Sequence, residues 1–276
     1  MKTKSIGLNE DLNKEIDFDL ICKGFHSGEI SSIDIAIQRP LLITCSKQDS
    51  TIRLWNYKTF TCEMAREYYV VEDMSMREAA RPLISVAIHP GGYYMAASFI
   101  DKIRFHHILH DEFQYYANID VKNCKIMKFS SGGHFFACVE GRNILVYNAY
   151  TLKKMKTIEM VRAPEKTEIT QLVFNNKDVA IGVCGNNGYV GRWRIPSFEV
   201  IKEEAGRKNM SYNSLDFIYD ENQSDPNILA LAGHLKDLEA PKDNNKLKVL
   251  SLSYAKDTNK DEDLFSEKLD ALGKYT

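Results

Sequence analysis

The sequence predicts an all-β fold made of repeated groups of short strands. Apolar and polar residues alternate in short runs, which is the period of a half-buried strand. Gly, Asn, Asp and Pro fill the segments between the runs, where the chain must turn. The same group of runs recurs along the chain, and the helical patterns that a parallel α/β fold needs between its strands are absent. The prediction is therefore a chain of antiparallel sheets.

Each copy reads as an alternating run, a turn, a β-rich run, a second turn and a third strand. In the second copy these are LISVAIH, the Pro90-Gly91-Gly92 turn, YYMAASF, the Asp101-Lys102 turn and IRFHH. The copies cover approximately 24–56, 83–110, 124–150, 169–200 and, in a weaker form, 212–254. Their third strands end at Trp55, His106, Tyr147 and Trp193, which are 51, 41 and 46 residues apart. A period of about 40–45 residues with several short strands is typical of β-propeller blades.

At the residue level the first copy resembles the WD-repeat family. Gly24-Phe25-His26 stands where that family has Gly-His, and Trp55-Asn56 stands where it has Trp-Asp. The resemblance implies a buried hydrogen-bonded network, which matches here to His26, Thr44 or Ser46, Asp49 and Trp55. Later copies keep only parts of the pattern, namely Asp101 with His106, Tyr147, and Asn187 with Trp193. Such a network has a structural role, because it satisfies polar groups between strands.

A longer match, from about Phe25 to Asp220, resembles a family of ciliary WD-repeat proteins. The matching segments include HSGEISSIDIAIQRPLLITCSKQDSTIRLWNY, HPGGYYMAASFIDKIRF and FSSGGHFFACVEGRNILVYN. These proteins carry two N-terminal propellers and a long coiled coil, and the segments here look like the first blades of the second propeller. The resemblance implies a non-catalytic scaffold of the motile axoneme that helps to anchor or regulate inner-arm dynein. It also implies axonemal partners, such as dynein-associated proteins or neighbouring WD-repeat chains.

Composition restricts the other classes of function. The chain of 276 residues carries 36 Lys and Arg against 38 Asp and Glu, a formal net charge of −2, so it has no basic excess for nucleic acid or anionic membranes. No apolar run approaches the ~18 residues that span a bilayer, and the first residues do not resemble a secretory signal. The six cysteines have neither zinc-site nor disulfide-framework spacing and are expected to be reduced.

The copies that can be identified leave the propeller incomplete. At about 40–45 residues per blade the 276 residues allow about six blades, but the pattern identifies only four and part of a fifth, and an open arc would expose two apolar faces. We therefore expect an arc or fragment that a partner chain completes. The flanking segments are a polar stretch, 1–20, and an acidic C-terminal stretch, 255–276, with a short amphipathic helix after Asp261-Glu262-Asp263. Alternation over 16–22 indicates a strand that either completes the outer edge of a last blade or flanks the first.

Candidate chemistry is sparse. His106 and His110 are the best metal candidates, but on a strand they would lie about 13 Å apart, too far to share one ion. The acidic run that begins at Asp257 lacks the glycine and the final glutamate of a calcium loop. The glycines between Gly185 and Gly191 precede a strand rather than a helix, so they are expected to form a hairpin turn and not a phosphate site. The sequence therefore predicts no catalytic site, no cofactor and no metal.

Two functions of different kinds follow. The favoured one is the axonemal scaffold, with the segment 57–82, predicted as an insertion, among its contact loops. The alternative is a generic cytosolic WD-repeat adaptor, or a microtubule-associated axonemal protein, with other partners. An enzyme is not expected, because function must be argued from a site and the sequence shows none. The partner and the contact face stay unknown at this level.

Overall fold

Five antiparallel sheets make up the described part of the chain. The computed structural model describes residues 25–68, 82–204, 210–217, 229–235 and 248–252, which form strands and turns and no helix. Sheets 1 and 2 contain β1 (Ile30–Ile35), β2 (Leu41–Ser46), β3 (Thr51–Asn56), β4 (Thr61–Glu67), β5 (Leu83–Ile88), β6 (Tyr94–Phe99), β7 (Ile103–Ile108) and β8 (Phe113–Ile119). Sheets 3 and 4 contain β9 (Met127–Phe129), β10 (Phe135–Glu140), β11 (Asn143–Asn148), β12 (Lys154–Glu159), β13 (Ile169–Phe174), β14 (Ala180–Gly185), β15 (Val190–Arg194) and β16 (Val200–Glu204). Sheet 5 contains β17 (Met210–Phe217), β18 (Leu229–Leu235) and β19 (Lys248–Leu252).

The sheets are arranged as blades of a β-propeller. Within each sheet the strands follow chain order, so every connection is a hairpin. Neighbouring sheets meet through their first strands: β1 contacts β5, β5 contacts β9, β9 contacts β13, and β13 contacts β17. The first strands are therefore on the inner side and the fourth strands on the outer side. The predicted all-β propeller fold is confirmed.

The core of the molecule is divided between the blades. Each of four clusters of buried apolar side chains joins one sheet to the next in chain order. Ile43 of sheet 1 and Phe99 of sheet 2 belong to one cluster, and Phe105 of sheet 2 and Phe136 of sheet 3 belong to the next. Because both faces of an internal sheet are covered, the second strand β14 is buried along its whole length.

Strand register is the same in all four complete sheets. Trp55 pairs with Leu42, His106 with Met95, Tyr147 with Phe136 and Trp193 with Ile181. The four residues at the ends of the third strands are thus at one equivalent position. A β-bulge recurs in β1, β5, β13 and β17 one or two residues before the equivalent positions Ile33, Val86, Leu172 and Leu215. This repetition permits residues of different sheets to be compared directly.

The structure adds a fourth, outer strand to copies that were predicted with three, so β8 and β12 lie beyond the predicted limits at 110 and 150. Residues 61–67 form the outer strand β4, so the region predicted as an insertion begins with a regular blade strand. Residues 69–81, the strand predicted over 16–22 and the helix predicted within 255–276 lie outside the described residues. Within the described ranges there is no helix that could cross a membrane and no group of three potential metal ligands.

Candidate protein-interaction surfaces

A hydrogen-bonded network links the strands of sheet 1. The Nδ1 atom of His26 lies 3.0 Å from Oδ2 of Asp49, and its Nε2 atom lies 2.8 Å from Oγ1 of Thr44. The indole N–H of Trp55 donates to the same Thr44 oxygen over 2.8 Å. The structure therefore brings together the four residues His26, Thr44, Asp49 and Trp55. Of the two hydroxyls considered from the sequence, it is that of Thr44 which takes part.

Asp49 is the centre of this network. Its carboxylate accepts hydrogen bonds from the backbone N–H of Ser27 and from both the backbone and the hydroxyl of Thr51. Burial alone would raise the pKa of this carboxyl, but the hydrogen bonds from Thr51 and His26 outweigh burial and hold the pKa below its usual value. Sequence reasoning missed Thr51. A hydroxyl two residues after a turn aspartate was the available signal, because turn aspartates commonly bind the backbone two residues on.

The corresponding residues of the other sheets differ. The buried hydroxyl of Ser46 makes no hydrogen bond among the described residues. Asn187 donates from its side chain to the carbonyl of Lys166, which precedes sheet 4 much as His26 precedes sheet 1. Trp193 is packed in the core between sheets 3 and 4. Asp101 occupies the turn after β6 and is half-buried, and sheet 2 has His106 at the position that Trp55 has in sheet 1.

The opposite end of the propeller has a clasp of turns between neighbouring sheets. Arg39 donates to the carbonyl of Gly92 in sheet 2, and Nε2 of His89 donates to the carbonyl of Gly133 in sheet 3 over 3.1 Å. Asp178 of sheet 4 accepts from the hydroxyl of Ser130 and from two backbone N–H groups of the same sheet 3 turn. The two Gly-Gly turns thus bind the sheets on either side.

The hydrogen bonds at its two ring nitrogens keep the His89 imidazole neutral in this clasp. Its Nδ1 atom accepts the Gly91 backbone N–H over 3.0 Å, which leaves the proton on Nε2 for Gly133. Burial lowers the pKa of His89, and the hydrogen bond to Gly133 opposes that effect only in part. Gly133 itself has a φ of +76°, and a Cβ atom added there would lie 2.2 Å from Nε2 of His89.

We expect Gly133→Ala to lower the free energy of unfolding by about 2–3 kcal/mol. The change combines the cost of a positive φ with a clash against a buried imidazole held at both nitrogens. Gly141→Ala is the matched control, since Gly141 has a φ of +60° and open space around it. It should cost only the backbone contribution, about 1 kcal/mol. Urea denaturation of both variants measures the difference, and equal losses would contradict the clash with His89.

Exposed tyrosines occupy this same end of the propeller. Tyr57, Tyr93 and Tyr150 lie in turns of sheets 1, 2 and 3, with Leu109 in a further turn of sheet 2, and all four are exposed. The guanidinium of Arg39 lies 4.8 Å from the centre of the Tyr93 ring. We call these four residues the tyrosine end. Exposed tyrosines on a rigid framework are enriched among the residues that dominate binding between proteins.

The two histidines considered as metal ligands and the cysteines differ in their exposure to solvent. His106 is buried on β7, whereas His110 is exposed in the turn after that strand. Five cysteines within the described ranges are free, and four of them are buried. Burial raises the pKa of the Cys45 and Cys184 thiols to about 11, although hydrogen bonds with Ser31 and Thr170 oppose the effect. Such thiols are protonated and poor nucleophiles.

The fold, the repeated register and the sheet 1 network define a WD-repeat β-propeller. The chain is similar to "Cilia- and flagella-associated protein 57" of Mus musculus, with 32% identity over 198 residues, or 72% of this chain. It is also similar to "Cilia- and flagella-associated protein 57 A" and "57 C" of Tetrahymena thermophila, with 30% and 26% identity over 69% and 68% of this chain. The matches cover only 13–14% of the relatives' length. No family model matches the chain.

Proposed function

We propose that this chain is a non-catalytic scaffold of cilia and flagella, which binds other axonemal proteins through its tyrosine end. The similarity to cilia- and flagella-associated proteins supports the ciliary and flagellar location. The observation that carries the binding role is the set of exposed apolar turns on three adjacent sheets. The clasp of Arg39, His89 and Asp178 holds neighbouring turns at the same end, including the turn that carries Tyr93, so little entropy is lost there when a partner docks.

The non-catalytic role is supported by how the shifted titratable groups are used. Active sites usually hold groups whose pKa is shifted and which face a cleft. Here His89 binds two backbone groups, and Asp49 binds His26 and Thr51. The Tyr189 hydroxyl donates to the buried carboxylate of Glu203 over 2.8 Å, and burial raises its pKa. Each of these groups supports a turn or an outer strand.

In the finer form of the proposal the partners are inner-arm dynein-associated proteins or neighbouring WD-repeat chains. Contact through tyrosines suits such partners, because an aromatic ring buries a large apolar area while its hydroxyl tolerates water at the rim. The same scaffold would then help to anchor or regulate inner-arm dynein. The alternative function is a cytosolic WD-repeat adaptor, or a microtubule-associated axonemal protein, with other partners.

The test is retention in the axoneme of motile cilia. Cells that express the tagged chain, with and without Tyr93→Ala and Tyr150→Ala together, are stripped of ciliary membranes with detergent. The tagged protein in the axonemes is then compared with that in the soluble fraction. We expect the unchanged chain to stay in the axoneme and the double variant to be at least tenfold depleted, as loss of two central contacts of about 1–2 kcal/mol each would give.

The matched control is Tyr115→Ala, which removes an equally exposed tyrosine from the outer strand β8. It should leave retention unchanged. Equal retention of the double variant would contradict binding through the tyrosine end. Absence of the unchanged chain from cilia would contradict the axonemal role and favour the cytosolic adaptor. Inner-arm dynein content of the same axonemes tests the finer proposal separately.

A further inference from the structure

One face of sheet 1 is apolar and exposed. Ile30, Ile33 and Ile35 of β1 are 52%, 60% and 49% exposed, although β1 is an inner strand. Asp34, in the same strand, is buried on the opposite side, toward sheet 2. An exposed isoleucine alone needs no explanation, but three along one inner strand form a continuous apolar face.

The equivalent residues of the other sheets are all buried. Val86, Leu172 and Leu215 have the register position of Ile33, and each is covered by the preceding sheet. Ile88, Phe174 and Phe217 have the position of Ile35 and are buried in the same way. Leu215 and Phe217 illustrate the contact, since both side chains lie within 3.3 Å of a Cβ built on Gly182 in sheet 4. The pattern of β1 is therefore that of a strand made to be covered by a blade.

Phe60 gives a second, independent indication. It lies in the turn after β3, has a φ of +58° and is 89% exposed. Leu152 and Phe198 occupy the same place in sheets 3 and 4, also with positive φ. Leu152 packs against the core between sheets 2 and 3, and Phe198 against the core between sheets 3 and 4. Both side chains therefore pack at the interface with the preceding sheet. Phe60 points to the same side of sheet 1, where no described sheet covers it. We call Ile30, Ile33, Ile35 and Phe60 the open face.

Polar side chains fix β1 to β5 and β13 to β17, two of the four pairs of neighbouring inner strands. Ser32 donates to the carbonyl of Val86 over 3.1 Å, and Asp34 accepts from the backbone N–H of Ile88 over 2.9 Å. In sheet 4, Gln171 accepts from the backbone N–H of Leu215 over 2.9 Å. A side chain of one inner strand thus binds the backbone of the next at the two positions equivalent to Ile33 and Ile35.

Sheet 5 has polar residues at the same positions of its inner strand, but their side chains are exposed. Ser214 and Asp216 of β17 have the register positions of Ser32 and Asp34. Both are exposed, whereas Asp34 is buried against sheet 2. Asp216 also accepts from the N–H of the following residue, as Asp34 does. Sheet 5 therefore carries, at its far side, the residues that bind a following inner strand.

We propose that two copies of this chain associate head to tail, with sheet 5 of one copy covering the open face of the other. Ser214 and Asp216 then bind the β1 backbone of the second copy at Ile33 and Ile35, as Ser32 and Asp34 bind β5. Ile33, Ile35 and Phe60 pack on sheet 5 as Leu215 and Phe217 pack on sheet 4. Such an interface is heterologous, because each copy contributes a different surface. The inference does not depend on the tyrosine end or on the ciliary role.

The experiment uses two variants of the whole chain, each with one damaged surface. Ile33→Glu with Ile35→Glu damages the open face, and Asp216→Lys damages sheet 5. All three residues are exposed, so the fold of the single chain should be kept, which circular dichroism and tryptophan fluorescence verify. Val161→Glu is the control, since it charges another exposed apolar residue outside both surfaces. Sedimentation velocity over a roughly hundredfold range of concentration measures association.

We expect the unchanged chain and the control to associate as concentration rises, and each variant alone to bind at least about 30-fold more weakly. An equal mixture of the two variants should form a one-to-one dimer, because the mixture still contains one intact pair of surfaces. Association by Asp216→Lys alone would mean that two open faces meet each other and would overturn the proposal. An unchanged chain that stays monomeric would also overturn it.

Discussion

Replacing Asp49 by alanine is expected to lower the free energy of unfolding by about 3 kcal/mol. The change removes the acceptor of hydrogen bonds from His26, Ser27 and Thr51, at about 1 kcal/mol each. It also leaves the buried imidazole of His26 without its carboxylate partner. Urea denaturation followed by tryptophan fluorescence measures the loss, because Trp55 belongs to the same network. Hydrogen exchange should show the loss of protection concentrated in β2 and β3.

Two comparisons make this prediction specific. Lys47→Ala changes an exposed residue of the same turn and should leave stability within about 0.5 kcal/mol of the unchanged chain. Because the pKa of Asp49 is lowered in the folded protein, its contribution is present above about pH 4 and is lost as the pH falls through the folded pKa. The stability difference between Asp49→Ala and the unchanged chain should shrink in that range. A difference that persists in acid would argue against the carboxylate.

The second large effect is acid destabilisation through His106. Burial, followed by the positive charge of Arg104, lowers the pKa of this histidine from 6.5 to about 4, and its buried Nδ1 makes no hydrogen bond with the part of the chain that the structure describes. The unfolded chain therefore binds a proton more readily than the folded one. The stability due to neutral His106 is present above about pH 6.5 and is lost as the pH falls toward 4. The difference of about 2.5 in pKa corresponds to roughly 3 kcal/mol.

His106→Phe should remove this loss. Phenylalanine suits a position whose equivalents are Trp55, Tyr147 and Trp193, and it eliminates the buried nitrogen without a partner. Urea denaturation at pH 7, 5 and 4 compares the variant with the unchanged chain. His110→Phe, in an exposed position of the next turn, serves as the control and should keep the original pH dependence. Parallel stability curves for His106→Phe and the unchanged chain would refute the role of His106.

Local patterns were sufficient for the inner three strands of each blade. The apolar alternation of those strands is present in the sequence, and the second strands β2, β6 and β14 are also buried at almost every position. The outer strands gave no such signal, since β4 and β12 are exposed at nearly every position. For that reason the segment after Asn56 resembled an insertion, although it begins with a blade strand. The fourth strands form because the third strand offers them hydrogen bonds, and this requirement leaves little trace in composition.

Some contacts of the candidate sites could be predicted from the sequence, and others could not. His26, Thr44, Asp49 and Trp55 follow a motif of fixed spacing, and the structure brings them together. The contact of His89 with Gly133 joins residues 44 positions apart in different sheets, and no spacing rule predicts it. The exposure of the tyrosine end likewise depends on which side of a turn faces solvent. Sequence alone does not distinguish the outward Tyr93 from the half-buried Tyr94 beside it.

The repeated strands, the turns and the propeller class can be read from the sequence, because they follow from the local alternation of apolar residues and from turn chemistry. Tertiary structure alone decided which apolar faces are covered. Ile33 and Val86 have the same register position in equivalent strands, yet Val86 is buried and Ile33 is exposed. The physical reason is that burial belongs to a pair of sheets: sheet 1 covers Val86, and no described residue covers Ile33.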